Sequence, residues 1–516
     1  MNEIMARTLS FGVSGVVGYP VHVEVFGING MPGMEIIGLP DASVRESRDR
    51  VNAAIINSGK QMQPRRITIN LAPADLKKEG PSFDLPIAVG VMIATGELQL
   101  SPRHDLDRIA MFGELSLDGR VQPINGALPM VISASEHGIH EIILPEKNAH
   151  EVACIQDMRI LPVSHLNQVI QYMEGRLDLQ PQQQISYSQL QSTVHPAVDM
   201  SQIKGQAGAK RALEVAASGG HNMLMIGVPG SGKTMMARAL PGILPPMSFE
   251  EALETTRIHS ISGNLAPGSG LMVIRPFRAP HHNASVASLI GGGQNAKPGE
   301  VSMAHNGVLF LDELPEFSRS ALESLRQPLE DGIVSVTRVM KQAQYQSSFM
   351  LIAAMNPCPC GYFGSTRKAC RCTEQEIRRY LDRISGPLLD RIDLQIEIDA
   401  VPVEEIQHAG MAESSAAVAA RVEKARKIQM ARYHHLAVHC NAQLDNAGIR
   451  EFCTPDREGT LLLQTAVDKM HMSMRAYNRI LKVARTIADL SGEPRIRLPH
   501  VAEAIQYREL DQKYWR

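Results

Sequence analysis

Aromatic residues make up only 4% of the 516 positions, with a single Trp. A surface built on bases stacked against aromatic rings is therefore not expected. Neither sign of charge is in excess, since 52 Lys and Arg stand against 54 Asp and Glu. Contact with nucleic acid would have to come from a local patch. Long apolar runs are missing too. The longest, Leu85–Thr95, is too short to span a bilayer. The start, Met1-Asn-Glu-Ile4, lacks the basic and apolar segments of a signal peptide. The expected setting is cytoplasmic, with no membrane partner. The seven cysteines are not expected to form a disulfide framework there. What remains is an ordinary soluble composition, 44% hydrophobic and 21% charged, with length for roughly two to four domains.

Against that background one stretch stands out. Gly227, Val228, Pro229, Gly230, Ser231, Gly232, Lys233 and Thr234 spell a complete G-x-x-x-x-G-K-[ST] phosphate loop. The glycines let successive N–H groups turn inward around phosphate oxygens. Lys233 brings a point charge for the β- and γ-phosphates, and Thr234 a hydroxyl for Mg²⁺. A short apolar strand, Asn222–Ile226, precedes the loop. A helix, Thr234–Leu240, follows and presents its positive end to the anion. The expected ligand is ATP. About eighty residues on, Val308–Leu311 reads as a buried strand ending in two carboxylates. Asp312 is placed to hold Mg²⁺ or its water, and Glu313 to act as general base on the attacking water.

The chain divides into four stretches. Residues 1–172 mix strands and helices, with strands at Val21–Phe26, Glu35–Ile37 and Arg66–Leu71 and helices at Ala42–Ser58 and Leu85–Thr95. Residues 173–198 form a linker whose Gln- and Ser-rich part reads as a flexible connector. Residues 199–400 alternate strand and helix around a parallel sheet. Within them Thr337–Tyr345 has the pattern of a hairpin, with Val336, Arg338 and Lys341 about its tip. Residues 401–516 turn helical, with helices at Ser414–Tyr433, Glu458–Met470, Met474–Leu490 and Pro499–Tyr507. The fold class is α/β.

Cys358, Cys360, Cys370 and Cys372 lie within fifteen residues. Four thiolates suit a closed tetrahedral Zn²⁺ site, and Gly361 and Gly364 supply the turn between the pairs. Metal-free thiols and a redox switch are the competing readings. The cluster follows Asn356 directly, next to any nucleotide site or pore. His281 and His282 read as loop-packing or polar contacts, with no role to deduce.

These motifs together resemble the AAA+ ATPases. Phe277-Arg-Ala-Pro-His-His-Asn283, Pro298-Gly-Glu-Val-Ser-Met-Ala-His305 and Leu388-Leu-Asp-Arg-Ile-Asp393 resemble the magnesium-chelatase-like branch. Within it, domain order and motifs are similar to the YifB/ComM family over nearly the whole chain. The resemblance implies a homo-hexameric DNA motor that drives branch migration on single-stranded or branched DNA, beside recombination proteins, during natural transformation. It implies an AAA+ core, a helical lid and an N-terminal Lon-protease-like (ribosomal S5 domain 2-like) α/β domain. By the same resemblance Asn356 is the sensor-1 residue orienting the lytic water. Arg391 is the arginine finger reaching a neighbouring subunit, with an ion pair to Asp390 or Asp393 as the plain reading. Arg475 is the sensor-2 arginine, with Arg479 one turn away as the other choice.

Leu71-Ala-Pro-Ala-Asp-Leu-Lys-Lys-Glu-Gly-Pro-Ser-Phe-Asp84 resembles the Lon protease domain, with Ser82 at the nucleophile position. The general-base lysine position reads Leu128, and a serine without a base is a poor nucleophile. The domain is therefore expected to lack protease activity, and Ser82 to serve a turn or a helix cap. By analogy with related rings, Arg338 and Lys341 are the candidate pore contacts to DNA, against a solvated hairpin tip. Arg421, Lys424, Lys427 and Arg432 form a basic helix face that reads as solvated. Three other functions compete with the motor: a magnesium-chelatase ATPase subunit, a remodelling chaperone and an ATP-dependent protease. The chelatase reading is disfavoured because those subunits are expected to lack the N-terminal domain.

Overall fold

A computed structural model describes residues 4–14, 17–61, 64–191, 198–265, 271–292, 297–338, 341–365, 368–399, 412–436 and 438–515. The chain forms two compact units. The first is Met1–Thr193 with Phe249–Val273, and the second is Val194–Ser248 with Ile274–Arg516.

The first unit is built on a seven-stranded mixed sheet. Its order is Gly33–Ile37, Arg65–Ala72, Val17–Asn29, Ile4–Ser14, Ile109–Met111, Glu141–Pro145 and Arg159–Val163. Ile4–Ser14 and Val17–Asn29 pair antiparallel along their full length. Val21, Val23 and Val25 are fully buried, while Phe26 is exposed, as the period of two requires. Helix Asp84–Thr95 buries every residue but Ile93, so its sequence carries no amphipathic stripe. Asp84 in its first turn is fully buried, with Arg50 2.7 Å away and the Leu115 N–H donating to it.

Two boundaries differ from the sequence expectation. Helix Phe249–Ser262 lies inside residues 199–400 but packs with the first unit. Ser260 Oγ donates to the Glu151 carboxylate at 3.1 Å, and Arg257 pairs with Glu136 at 3.5 Å. The linker is also not a free connector over its described part. Leu179 is buried, and the Gln182 and Ile185 N–H groups donate to Ile160 and Ala153 carbonyls. Tyr187 then sets its ring against Phe249. Two apolar anchors and two backbone bonds suffice to hold a Gln-rich strip against the sheet edge.

The second unit carries a five-stranded parallel sheet ordered Phe277–Arg278, Val308–Leu311, Met350–Met355, Met223–Gly227 and Leu394–Ile398. The three middle strands are buried at every residue, which is why they read as unbroken apolar runs. Parallel strands end on one edge, and the loops leaving that edge gather residues far apart in sequence. Four helices, Ser415–Arg432, Arg457–Lys469, Met474–Leu490 and Leu498–Gln506, follow within a residue or two of expectation. Side-chain caps at Ser414, Asp456 and Ser473 open the first three. Their apolar faces share one core with helix Ala207–Gly219 and the sheet. Strands Ile333–Arg338 and Lys341–Gln346 form the expected hairpin, with Arg338 paired to Lys341. Residues 339 and 340 and the side chains of 337–342 lie outside the described residues.

Candidate nucleotide site

The phosphate loop leaves strand Met223–Gly227 and enters helix Lys233–Ala239. Gly227 is required by close approach: an added Cβ would lie 2.2 Å from the Ile398 carbonyl oxygen of the neighbouring strand. Gly230 and Gly232 hold φ values of 77° and 92°, which only glycine adopts freely. Lys233 is folded back into the loop. Its Nζ donates to the Gly227 and Val228 carbonyls at 2.7 and 3.0 Å and to Asn356 Oδ1 at 3.2 Å. Burial lowers its pKa, while the charges of Asp312 and Glu313 pull the other way. Ser231 Oγ is buried and has no hydrogen-bond partner among the described residues. A buried, unpaired hydroxyl inside a loop of this shape fits an oxyanion ligand.

The carboxylates arrive from the strand Val308–Leu311, two places away in the sheet. Thr234 Oγ1 donates to Asp312 Oδ2 at 2.8 Å. The other carboxylate oxygen of Asp312 accepts from the Glu313 N–H at 3.0 Å. Hydroxyl and carboxylate together form an oxygen pair of the kind a hard divalent cation takes. Glu313 has φ 53° and ψ 47°, a left-handed conformation uncommon outside glycine. Its carboxylate meets His282, whose Nδ1 lies 3.1 Å from Glu313 Oε2. The His281 ring lies against His282 with centroids 4.1 Å apart.

His282 is the residue that sequence reasoning passed over. Strands Phe277–Arg278 and Val308–Leu311 are parallel neighbours with Arg278 opposite Leu309. Four residues beyond that pair, His282 and Glu313 leave the same sheet edge side by side. The His-His-Asn motif was visible, but its partner was not, because strand adjacency is a tertiary fact. Arg278 and Gly307 have structural roles. Arg278 forks onto Glu300 at 2.6 and 2.8 Å, and Gly307 leaves room for the Pro276 carbonyl.

Arg391 and Arg475, and Arg479 as the alternative to Arg475, make no side-chain contact with the phosphate loop of their own chain among the described residues. Arg391 pairs with Glu330, rather than Asp390 or Asp393, and donates to the Pro387 carbonyl at 2.8 Å. Arg475 is 67% exposed and lies 3.6 Å from Asp390. Arg479 is largely buried, donating to the Ile392 carbonyl at 3.0 Å beside Asp393 at 3.5 Å. Its guanidinium is thus committed to the Leu-Leu-Asp-Arg-Ile-Asp turn. On the long helix, Arg421 pairs with Glu413 and Glu214, Lys427 with Glu423, and Arg432 with buried Asp489. Three of the four basic residues expected there are thus paired, Lys424 is exposed, and Arg432 is an interior pair rather than a solvated one.

In the first unit, Ser82 lies in the single turn Pro81–Phe83, buried, with its carbonyl accepting from Gly113 N–H. It caps no helix, because Phe83 holds the cap position of Asp84–Thr95. Leu128 is fully buried.

The four cysteines converge. Their sulfurs all lie within 4.8 Å of one another. Cys358 and Cys360 are 3.4 Å apart, Cys358 and Cys370 3.7 Å, and Cys360 and Cys370 3.6 Å. A tetrahedral ion with Zn–S bonds of about 2.3 Å sets its sulfurs about 3.8 Å apart. Backbone N–H groups of Phe363 and Cys360 donate to the sulfurs of Cys358 and Cys372. The Arg371 N–H holds the Cys360 thiol down at about 6, while burial pushes Cys358 up to about 12.

Comparison with known families agrees with this geometry. Residues 199–406 match the model described as magnesium chelatase, subunit ChlI. Residues 412–508 match its C-terminal counterpart, and residues 23–148 match subunit ChlI of Mg-chelatase. The first unit therefore does not by itself set the chain apart from chelatase subunits, contrary to the sequence argument. The chain is 43% identical over 508 residues to competence protein ComM of Haemophilus influenzae, covering 98% of each. It is 43% identical over 502 residues to YifB of Escherichia coli, covering 96% of each. Lon protease 2 of Thermus thermophilus is 38% identical over 109 residues, 20% of this chain and 13% of that protein. No described helix is long and apolar enough to cross a membrane.

Proposed function

Given a chain that belongs to the YifB/ComM family of magnesium-chelatase-like AAA+ ATPases, we propose an ATP-driven motor on DNA. It works as a homo-hexameric ring on single-stranded or branched DNA and promotes branch migration during recombination in natural transformation, in the cytoplasm. The single observation that carries the chemistry is the Thr234–Asp312 pair beside Lys233 and Glu313. Thr234 and Asp312 would hold Mg²⁺, which when bound neutralises charge on the β- and γ-phosphate oxygens. Lys233 exchanges its two carbonyl partners for phosphate oxygens. Asn356 orients the attacking water. Glu313 takes its proton, with His282 fixing the carboxylate. Cys358, Cys360, Cys370 and Cys372 hold a structural Zn²⁺.

The ring reading rests on Arg391, which among the described residues contacts Glu330 and the Pro387 carbonyl rather than the phosphate loop, and which would serve a neighbour's loop by leaving Glu330. Arg475 closes the site from the helical domain. Arg338 and Lys341, the last described pair of the hairpin ladder, carry the DNA contact. Support for DNA as the track comes from the full-length likeness to a competence protein. ATP hydrolysis measured with and without single-stranded and four-way-junction DNA, with Glu313→Gln as the inactive control, tests the reading. Stimulation by DNA is expected. Hydrolysis indifferent to every DNA tried would favour a remodelling chaperone or a chelatase subunit instead.

A further inference from the structure

The cysteine cluster and the phosphate loop touch. Gly361, inside the Cys358–Cys372 segment, lies so close to Pro229 that an added Cβ would sit 2.7 Å from both Cγ and Cδ of the proline ring. The same Cβ would lie 3.8 Å from the side-chain carbon of Asn356. Pro229 is the third residue of the phosphate loop, and Asn356 receives the Lys233 ammonium. The thiolate cluster is thus the back wall of the loop. Gly361 has φ 84° and Gly364 φ 77°, so the wall is a turn made of the two most pliable residues available. The Phe363 ring lies edge-on 6.4 Å from that of Tyr514 in helix Leu510–Trp515.

Four thiols whose sulfurs lie within 4.8 Å of one another contribute little cohesion by themselves. A central divalent ion converts the same four sulfurs into a rigid crosslink that closes the 358–372 loop. We infer that Zn²⁺ in this cluster controls nucleotide binding: the metal holds Gly361 against Pro229 and so holds the phosphate loop open for phosphate. This inference rests on the ATPase reading and adds a metal dependence to it. In the metal-free protein the turn relaxes, Pro229 loses its support, and Lys233 and Asn356 lose their common frame.

The test uses the full chain. Zinc per chain is measured by elemental analysis, and affinity for a fluorescent ATP analogue by titration. Titrations are made before and after stripping with a thiol mercurial, and again after zinc is restored. One zinc per chain is expected, with affinity falling about tenfold or more on stripping and returning with zinc. Gly361→Ala separates the contact from the metal, since all four cysteines remain. It should keep its zinc and still bind nucleotide about tenfold more weakly, because its Cβ enters the proline ring. Pro229→Ala in the same chain should recover much of that loss. A protein without zinc, or one whose affinity is the same in stripped, restored and Gly361→Ala forms, would overturn the inference while leaving the ATPase reading intact. A zinc-loaded wild type that binds no nucleotide would overturn both.

Discussion

His282 Nδ1 lies 3.1 Å from Glu313 Oε2. The Glu313 carboxylate, the proposed general base, is thus held by a neighbouring strand's loop. A left-handed backbone at Glu313 is costly, and the histidine is what the turn gains by adopting it. His282→Ala should lower kcat about 10- to 100-fold while leaving affinity for nucleotide unchanged. His282→Asn, which keeps a donor near the carboxylate, should retain more activity. Steady-state kinetics beside nucleotide titration decide this. An unchanged kcat in His282→Ala would remove the histidine from the mechanism.

Glu313 and Lys233 should separate chemistry from binding. Glu313→Gln is expected to cut kcat about 10²- to 10⁴-fold with binding retained. Lys233→Ala should lose binding itself, since the ammonium is the loop's only cation and sits within it. Equal losses of binding in both variants would contradict the assigned roles.

Arg391 should act in trans. Arg391→Ala and Lys233→Ala are each expected to be inactive as pure preparations. Mixed, they should recover part of the ATPase activity, because a ring then contains interfaces with an intact loop facing an intact arginine. Activity that stays at background on mixing would argue for an arginine serving its own chain.

The Asp393 carboxyl sets an acid limit. Burial pushes it up, but the hydrogen bond from His221 and the charges of Arg479 and Lys482 outweigh that and hold it at about 2. A depressed folded value means stability fully present above the unfolded value near 4 and lost as pH falls toward 2. The contribution is about 2 kcal/mol. Asp393→Asn should unfold at lower temperature at pH 7, and its stability should change less than the wild type's between pH 5 and pH 2. Parallel pH profiles would show that the carboxylate contributes nothing.

Asp489 anchors the helical region. It is fully buried and accepts from Arg432 at 3.0 Å, Arg485 at 3.1 Å and Asn441 at 2.9 Å. Asp489→Ala leaves two arginines uncompensated in the interior and should cost about 3–5 kcal/mol. Urea denaturation measures it, and a loss below about 1 kcal/mol would mean that water replaces the carboxylate.

By itself the sequence determined the phosphate loop, the Asp312–Glu313 strand end, the four C-terminal helices and the cysteine cluster. Each is a local pattern: a spacing, a period or a cap whose chemistry lies within a few residues. Met474–Leu490 shows how far that reaches, since a capping Ser473 opens it and an apolar stripe marks its buried face. Only the tertiary structure decided that His282 meets Glu313, that Gly361 backs Pro229, that Arg391 rests on Glu330 and that Phe249–Ser262 joins the first unit. These contacts join residues up to 132 positions apart. The His282–Glu313 contact follows from strand order and register in the parallel sheet, and the others from packing between elements distant in sequence. An unbroken apolar strand buries equally well in any central position, so its sequence does not state which neighbour it has.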